Sequence, residues 1–212
     1  MLIRKVGTVR CTVGEGPLWD AETGSLYFVD LVGQKLWHLD PANEDFRSFA
    51  MPGFAITATH DRTGRLLVVL ADGLYALDTQ NGSLTLVTRP DLPAGTQLND
   101  AKVDRQGRIV ALGADAALKD PIASSYSFDF DGNVRALDHG FAIGNGPCWS
   151  PDGATFYSAD SVAKVIYAYD YDTATGAVAN RRLFADTADL GGIPDGATVD
   201  TRGNIWMAMC GA

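Results

Sequence analysis

Short runs of alternating apolar and polar residues recur along the chain, and each run follows a turn that contains Gly and, in most cases, Asp. Five such segments are WDAETGSLYFVD from Trp19, HDRTGRLLVVL from His60, VDRQGRIVAL from Val103, SPDGATFYSAD from Ser150 and VDTRGNIWMAM from Val199. Alternation is typical of β-strands with one buried face, and Asp-Gly turns are typical of tight hairpins. Helical periodicity is almost absent, so the pattern predicts an all-β chain.

The five turns are regularly spaced. Their marker residues, which lie 41 to 48 residues apart, are Asp20, Asp61, Asp104, Asp152 and Asp200. A second aromatic-rich strand follows each of the first four turns, as in KLWHLD ending at Asp40. A unit of about 40–50 residues with four short strands is typical of a propeller blade. We therefore predict a β-propeller rather than a β-sandwich whose turns are similar by chance, with Trp19, Trp149 and Trp206 packed between blades.

The fifth repeat stops at Ala212, just after its first strong strand. Propellers close by pairing their first and last segments, which removes exposed sheet edges. We therefore expect residues 1–212 to form a single propeller domain that lacks its C-terminal blades and ends after about four and a half of them. The remainder of the propeller would need roughly 70–90 more residues at this repeat length.

One position in each repeat has the same phase relative to the turn. Its occupants are Glu15 in EGPLWD, Asn99 in NDAKVD, Asn145 in NGPCWS and Asp195 in DGATVD, whereas the second repeat has Ile56. Equivalent positions in a radially repeated fold lie on a ring around its axis. The sequence therefore predicts that four oxygen-bearing side chains converge there.

Converging carboxylates repel each other unless a cation compensates their charge. A hard divalent cation accepts carboxylate and amide oxygens, so Glu15, Asn145 and Asp195 are candidate ligands of one metal ion. So few protein ligands would leave positions open for water and substrate. The alternative is that each Asp or Asn merely caps a turn and that the glycines following them are ordinary turn glycines.

The composition of the chain restricts the classes of partner that we expect. The formal charge is −9, with 17 basic and 26 acidic residues, and such a surface repels phosphate backbones, so no nucleic acid partner is expected. No basic, apolar leader and no apolar run of about 20 residues is present, so no membrane partner is expected.

Cys11, Cys148 and Cys210 are odd in number and lack metal-site spacing, which favours reduced, mostly buried thiols in a cytoplasmic protein. The oligomeric state is left open.

Several longer segments carry a family resemblance. They are EGPLWD at Glu15, LYFVD at Leu26, LNDAKVDRQGR at Leu98, GNGPCWSPDGATFYSADS at Gly144, YAYDYDTATG at Tyr167 and IPDGATVDTRGNIWMA at Ile193. In this order they resemble the family of senescence marker protein (regucalcin), gluconolactonases and luciferin-regenerating enzyme. The resemblance implies a six-bladed β-propeller with one divalent metal ion (calcium, zinc, manganese or magnesium) in its central channel. It implies that Glu15, Asn145 and Asp195 are the metal ligands, and that Asn99 contacts substrate or water.

The motif around Asn99 departs from the family pattern. Gln97 stands where the family often has an Arg that holds sugar hydroxyls, and Ala101 replaces the Gly of an Asn-Asp-Gly motif. Substrate identity is therefore less firmly implied than metal binding.

The leading hypothesis is a lactonase that opens a sugar lactone or related cyclic ester. The metal would polarise the carbonyl, and Asp195 would orient or deprotonate the attacking water. Asn99 would donate a hydrogen bond to substrate or water, and Gln97 would contact a hydroxyl. One alternative is a calcium-binding or ligand-sensing propeller without catalysis. The other is a hydrolase of other esters or phosphotriesters, because one metal centre can activate water against several electrophiles.

Overall fold

The computed structural model describes residues 3–129 and 131–212, and the regular secondary structure of these residues is almost entirely β-strand. Their single helical element is a 3-10 turn, Ala188–Leu190. None of the described helical residues makes a helix long and apolar enough to cross a membrane. The all-β prediction is confirmed. Residue contacts divide the chain into two compact units, Met1–Val87 and Thr88–Ala212.

The first unit contains two four-stranded antiparallel sheets, each ordered as in the chain. The strands of one sheet are β1 (Gly14–Asp20), β2 (Ser25–Asp30), β3 (Lys35–Asp40) and β4 (Asp45–Ala50). Those of the other are β5 (Ala55–His60), β6 (Leu66–Leu70), β7 (Gly73–Leu77) and β8 (Leu84–Thr88), which ends at the unit boundary. Fully buried Val29, Leu36 and Val68 form part of one apolar core shared by both sheets, because alternate residues of each strand face it.

The second unit has two further four-stranded meanders and a two-stranded sheet. The first meander comprises β9 (Thr96–Val103), β10 (Ile109–Asp115), β11 (Ala123–Phe128) and β12 (Val134–Phe141). The next comprises β13 (Gly144–Trp149), β14 (Thr155–Asp160), β15 (Val165–Tyr171) and β16 (Val178–Asp186). The two-stranded sheet pairs β17 (Ile193–Val199) with β18 (Ile205–Cys210). The first strands of these sheets are neighbours, since β13 packs against both β9 and β17.

Four-stranded antiparallel meanders that follow one another along the chain are the blade architecture of β-propellers. The described residues form four such sheets and one pair of strands, which is consistent with a propeller. Six blades, and a single domain over residues 1–212, remain predictions.

The Asp-Gly turns owe their shape to a repeated hydrogen-bond pattern. The carboxylates of Asp61, Asp104 and Asp200 each accept bonds of 2.8–3.0 Å from the backbone N–H groups two and four residues further on. Each such bond contributes about 1 kcal/mol. In the fourth repeat the equivalent position belongs to Ser150, whose N–H pairs across the hairpin with Thr155. The marker chosen from the sequence, Asp152, therefore lies two residues too far along.

The three recurring tryptophans have different environments. Trp149 is 8% exposed and belongs to a buried apolar cluster with Val110 and Leu112 of the preceding sheet, so its predicted packing between sheets is confirmed. Its ring also packs on Phe156 and Tyr171, with ring centroids 5.3 and 5.7 Å away. The same prediction is wrong for Trp19 and Trp206, which are 58% and 63% exposed. Trp19 lines a surface pocket, and Trp206 lies on the exposed face of the two-stranded sheet.

The cysteines are unpaired, as expected, but their burial differs. Cys148 is buried, Cys11 is partly buried and Cys210 is exposed. The expectation of mostly buried thiols is therefore wrong for Cys210, which lies on the exposed face of β18.

Candidate functional site

The first strand of every sheet carries a β-bulge at the phase that the repeat alignment singles out. The irregularities lie between Glu15 and Leu18 in β1, between Ala55 and Thr57 in β5, between Leu98 and Asp100 in β9, between Asn145 and Cys148 in β13, and between Pro194 and Ala197 in β17. A bulge bends the strand and redirects side chains, and such bulges are common beside active sites. The aligned positions therefore share a local backbone structure, although their side chains differ.

Glycines at two of these bulges let neighbouring strands approach each other closely. Gly146 has φ +62°, and a Cβ there would lie 2.8 Å from the carbonyl oxygen of Asp195. In the first unit, Gly16 has φ +56°, and a Cβ would lie 2.8 Å from the carbonyl oxygen of Ile56. These two residues are strand glycines required by a close approach, not the ordinary turn glycines of the alternative interpretation.

A chain of hydrogen bonds joins β9, β13 and β17 at the level of the bulges. The Asn99 amide nitrogen donates to the Asn145 Oδ1 atom at 3.2 Å and to the Gly144 carbonyl oxygen at 3.1 Å. The Asn145 amide nitrogen donates to the Ser161 hydroxyl oxygen at 2.8 Å. That hydroxyl donates in turn to the carbonyl oxygen of Pro194, next to Asp195, at 2.6 Å. The structure thus brings Asn99, Asn145 and Asp195 onto adjoining strands.

The hydrogen bonds of Asn99 limit the ways in which its side chain could contact a ligand. Both amide hydrogens are engaged by protein oxygens, so the side chain has no free donor for substrate or water. Its Oδ1 atom can still accept. The contact of Asn99 with substrate or water stays a prediction, and in this arrangement of hydrogen bonds its Oδ1 atom is the group left to make it.

Two carboxyl groups in the second unit are held in an environment that disfavours their charge. Burial is the main cause that raises the pKa of Asp100 to about 6; the Gly146 N–H, 2.8 Å from Asp100 Oδ2, opposes the rise, and the charge of Asp195 adds to it. Burial likewise raises the pKa of Asp195, against the Gly196 N–H. Lys102 lowers the pKa of Asp100, but its Nζ atom already donates to the carbonyl oxygen of Ala197 at 2.6 Å.

These groups suit a hard cation. The Asn145 side chain is 6% exposed and offers an amide oxygen, while the two carboxyl groups on neighbouring strands favour protonation in the absence of positive charge. Oxygen donors of this kind are those that calcium and similar ions prefer. No group of three or more His, Cys, Asp or Glu within residues 3–129 and 131–212 could hold a metal, so a metal here would also need the Asn145 amide oxygen.

The two remaining candidate residues lie elsewhere on the strands. Glu15 belongs to the first unit and is partly buried at the bulge of β1. Gln97 is partly buried on β9, where it pairs with Ala114 of β10.

A pocket of about 750 Å³ in the first unit lies at the turn end of β1, the opposite end from Glu15. Trp19, Tyr27, His60 and Gln80 are among the residues that line it. Turn residues whose side chains already cap backbone N–H groups, such as Asp20, make up much of its wall. It therefore offers no chemistry that the motifs predict.

Asp100, Ser161 and Lys102 were not among the residues selected from the sequence. Asp100 had a detectable signal, since it has a carboxyl group at the phase where three other repeats have Gly16, Gly146 and Gly196. Ser161 follows the strand end at Asp160, and nothing in its sequence position shows that it reaches β17.

Comparison with known proteins gives a consistent result. Residues 13–212 match the family model described as SMP-30/Gluconolactonase/LRE-like region. The L-arabinolactonase of Azospirillum brasilense is 36% identical over 208 residues, covering 95% of this chain and 68% of that protein. Regucalcin of Xenopus laevis is 31% identical over 206 residues, covering 92% and 68%.

A solved structure is also similar. The calcium-binding protein regucalcin from Agrobacterium tumefaciens superimposes with a TM-score of 0.88 at 27% identity, covering 95% of this chain and 68% of that one. The resemblance inferred from the motifs is thus confirmed over nearly the whole chain. This chain belongs to the SMP-30/gluconolactonase/LRE-like family.

Proposed function

We propose that this chain is a metal-dependent lactonase that opens a sugar lactone or related cyclic ester, with Glu15, Asn145 and Asp195 as the metal ligands. The observation that carries the proposal is the joining of Asn99, Asn145 and the strand of Asp195 by one hydrogen-bond chain beside two carboxyl groups of raised pKa. Glu15 is included because it has the same repeat phase as Asn145 and lies, like Asn145, at the bulge of the first strand of its sheet. A relative named as an L-arabinolactonase supports the substrate class.

The reaction adds water to the lactone carbonyl carbon and breaks the ring carbon–oxygen bond, so that the ring oxygen becomes a hydroxyl. A divalent cation held by Glu15, Asn145 and Asp195 would supply a Lewis acid for the carbonyl. Asp195 orients the attacking water, accepts its proton and returns that proton to the departing ring oxygen. The Oδ1 atom of Asn99 accepts a hydrogen bond from that water or from a substrate hydroxyl, and Gln97 contacts a second hydroxyl. The released proton of the hydroxy acid makes turnover measurable.

The test is acid release from a panel of γ- and δ-sugar lactones, with and without added calcium, manganese, zinc or magnesium. Asp195→Ala should lower kcat/KM by about 10²- to 10⁴-fold, the range that loss of a positioned proton acceptor typically gives. Asp189→Ala is the matched control, because Asp189 is an exposed carboxylate six residues earlier in the chain. It should keep the activity of the natural protein. Asp195→Ala with full turnover would refute the assigned role.

A second candidate function is calcium binding or ligand sensing without catalysis. The observation that favours it is the calcium-binding description of the A. tumefaciens regucalcin. In that case calcium should raise the melting temperature without acid release from any lactone. A hydrolase of other esters or phosphotriesters would instead release acid from those substrates in preference to lactones.

A further inference from the structure

Ser161 lies at the junction of β14 and the following turn, and it is completely buried. Its hydroxyl makes two hydrogen bonds to different strands. It accepts one from the Asn145 amide nitrogen of β13 at 2.8 Å and donates one to the Pro194 carbonyl oxygen of β17 at 2.6 Å. A single buried hydroxyl therefore links the strand of one proposed metal ligand to the residue before another.

The fold does not require a hydroxyl at this position. The N–H of Ser161 bonds to the carbonyl oxygen of Ile143 at 2.9 Å, two residues before Asn145. In the first unit, Leu31 and Ala71 make the same backbone bond at the ends of β2 and β6, with distances of 2.9 and 3.0 Å. Since Leu and Ala build the same junction, the serine side chain has a purpose other than shaping the turn.

The Ser161 hydroxyl also determines on which side of the Asn145 amide the oxygen lies and on which side the nitrogen lies. An Asn amide can be rotated so that its oxygen and nitrogen exchange places. With the Nδ2 atom donating to Ser161, the Oδ1 atom is directed to the opposite side, where Asn99 donates to it. A cation needs the oxygen, because an amide N–H₂ group carries no free lone pair for a metal.

We propose that Ser161 is a positioning residue of the metal site, which holds the Asn145 amide oxygen in its ligating orientation and fixes β17 at Pro194. The inference rests on the proposed function, in that it assigns Asn145 and Asp195 as ligands. Groups that orient metal ligands through hydrogen bonds typically change metal affinity by 10- to 100-fold when they are removed.

The experiment compares calcium binding by titration calorimetry in the full natural chain and two variants. Ser161→Ala should raise the calcium Kd by about 10- to 100-fold. Ser158→Ala is the matched control, since Ser158 lies on the same strand, is equally buried, and has no hydrogen bond to β13 or β17 among the described residues. Its calcium Kd should equal that of the natural protein. Ser161→Cys, which replaces the hydroxyl with a somewhat larger thiol that is only a weak donor and acceptor, should give an intermediate Kd.

Two readouts separate positioning from a general loss of stability. The metal-free melting temperatures of Ser161→Ala and Ser158→Ala are measured alongside the Kd values, and saturating calcium should restore lactonase kcat in Ser161→Ala. An unchanged Kd in Ser161→Ala, or an equal weakening in both serine variants, overturns the inference while the proposed function stands. If the natural protein binds neither calcium nor manganese, zinc or magnesium, the proposed metal site itself is refuted, and the role of Ser161 with it.

Discussion

Gly146 offers a direct test of the close approach of β13 and β17. Its φ of +62° belongs to the left-handed region, and an added Cβ would lie 2.8 Å from the Asp195 carbonyl oxygen and 3.0 Å from Ala197 Cβ. The backbone oxygen cannot move aside as the end of a flexible side chain can. Gly146→Ala therefore combines backbone strain with overpacking against the strand of a proposed ligand.

Two control glycines allow these costs to be separated. Gly140 has φ +84° and open space around its Cβ position, so Gly140→Ala should cost only the left-handed conformation, about 1–2 kcal/mol. Gly196 has neither a positive φ nor a neighbour within 4 Å, so Gly196→Ala should be neutral or stabilise by up to about 1 kcal/mol. Gly146→Ala adds an overpacking cost of about 1–3 kcal/mol to the strain, which gives about 2–5 kcal/mol in all.

Urea denaturation followed by tryptophan fluorescence measures the three free-energy changes from the shift of each midpoint. The expected order of destabilisation is Gly146→Ala, then Gly140→Ala, then Gly196→Ala. A Gly146→Ala variant that loses no more stability than Gly140→Ala would show that β13 and β17 do not touch as described. The same variant should also bind calcium more weakly, because Gly146 follows Asn145 and its N–H donates to Asp100 at 2.8 Å.

Two further predictions concern the second unit. Burial raises the pKa of the Cys148 thiol to about 12, and the charge of Lys102 opposes this rise. The thiol should therefore resist alkylation at about pH 8 until denaturant is added. Rapid labelling of the native protein, detected by mass spectrometry, would contradict this prediction. Arg108 is 9% exposed and donates hydrogen bonds to Asp104 at 2.8 Å and to the carbonyl oxygens of Thr173 and Ala174. Arg108→Ala should therefore lower the free energy of unfolding, measured by urea denaturation, by about 3–5 kcal/mol. Exposed Arg135, bonded to the Thr175 carbonyl oxygen, is its control, and Arg135→Ala should stay within about 0.5 kcal/mol; equal losses would refute the role of burial.

The strands were predictable because the relevant signals are local. The apolar runs of β2 and β10 and the Asp-Gly turns depend on residues within a few positions of one another, so the sequence contains them directly. The repeat phase also located a shared structural feature, since the predicted ring position coincides with a bulge in all five first strands. Where the phase was marked by a residue type, the fourth repeat was misplaced, because its Asp152 lies two residues beyond Ser150, the structural equivalent of the other markers.

The details of the candidate site were not predictable, because they depend on contacts between distant repeats. Ser161 reaches Pro194 across 33 residues of sequence, and Asn99 reaches Asn145 across 46. The exposure of Trp19 and Trp206 was missed for the same reason, since recurrence along the chain does not show what covers a side chain. Likewise, the protein partners of Asn99 could not be read from the sequence, because Gly144 and Asn145 lie in the next repeat.

The repeats show how chemistry can be added to an unchanged backbone. At the bulge, Ile56 and Asn145 occupy equivalent positions, and at the junction after the second strand so do Ala71 and Ser161. The N–H of Ala71 bonds to the Phe54 carbonyl oxygen as that of Ser161 bonds to Ile143, so this junction forms without the polar groups. Burying an amide and a hydroxyl costs free energy unless each finds a partner, and here they bond to each other at 2.8 Å. The amide of Asn145 and the hydroxyl of Ser161 therefore depend on each other for a buried partner, and the two residues belong to one site.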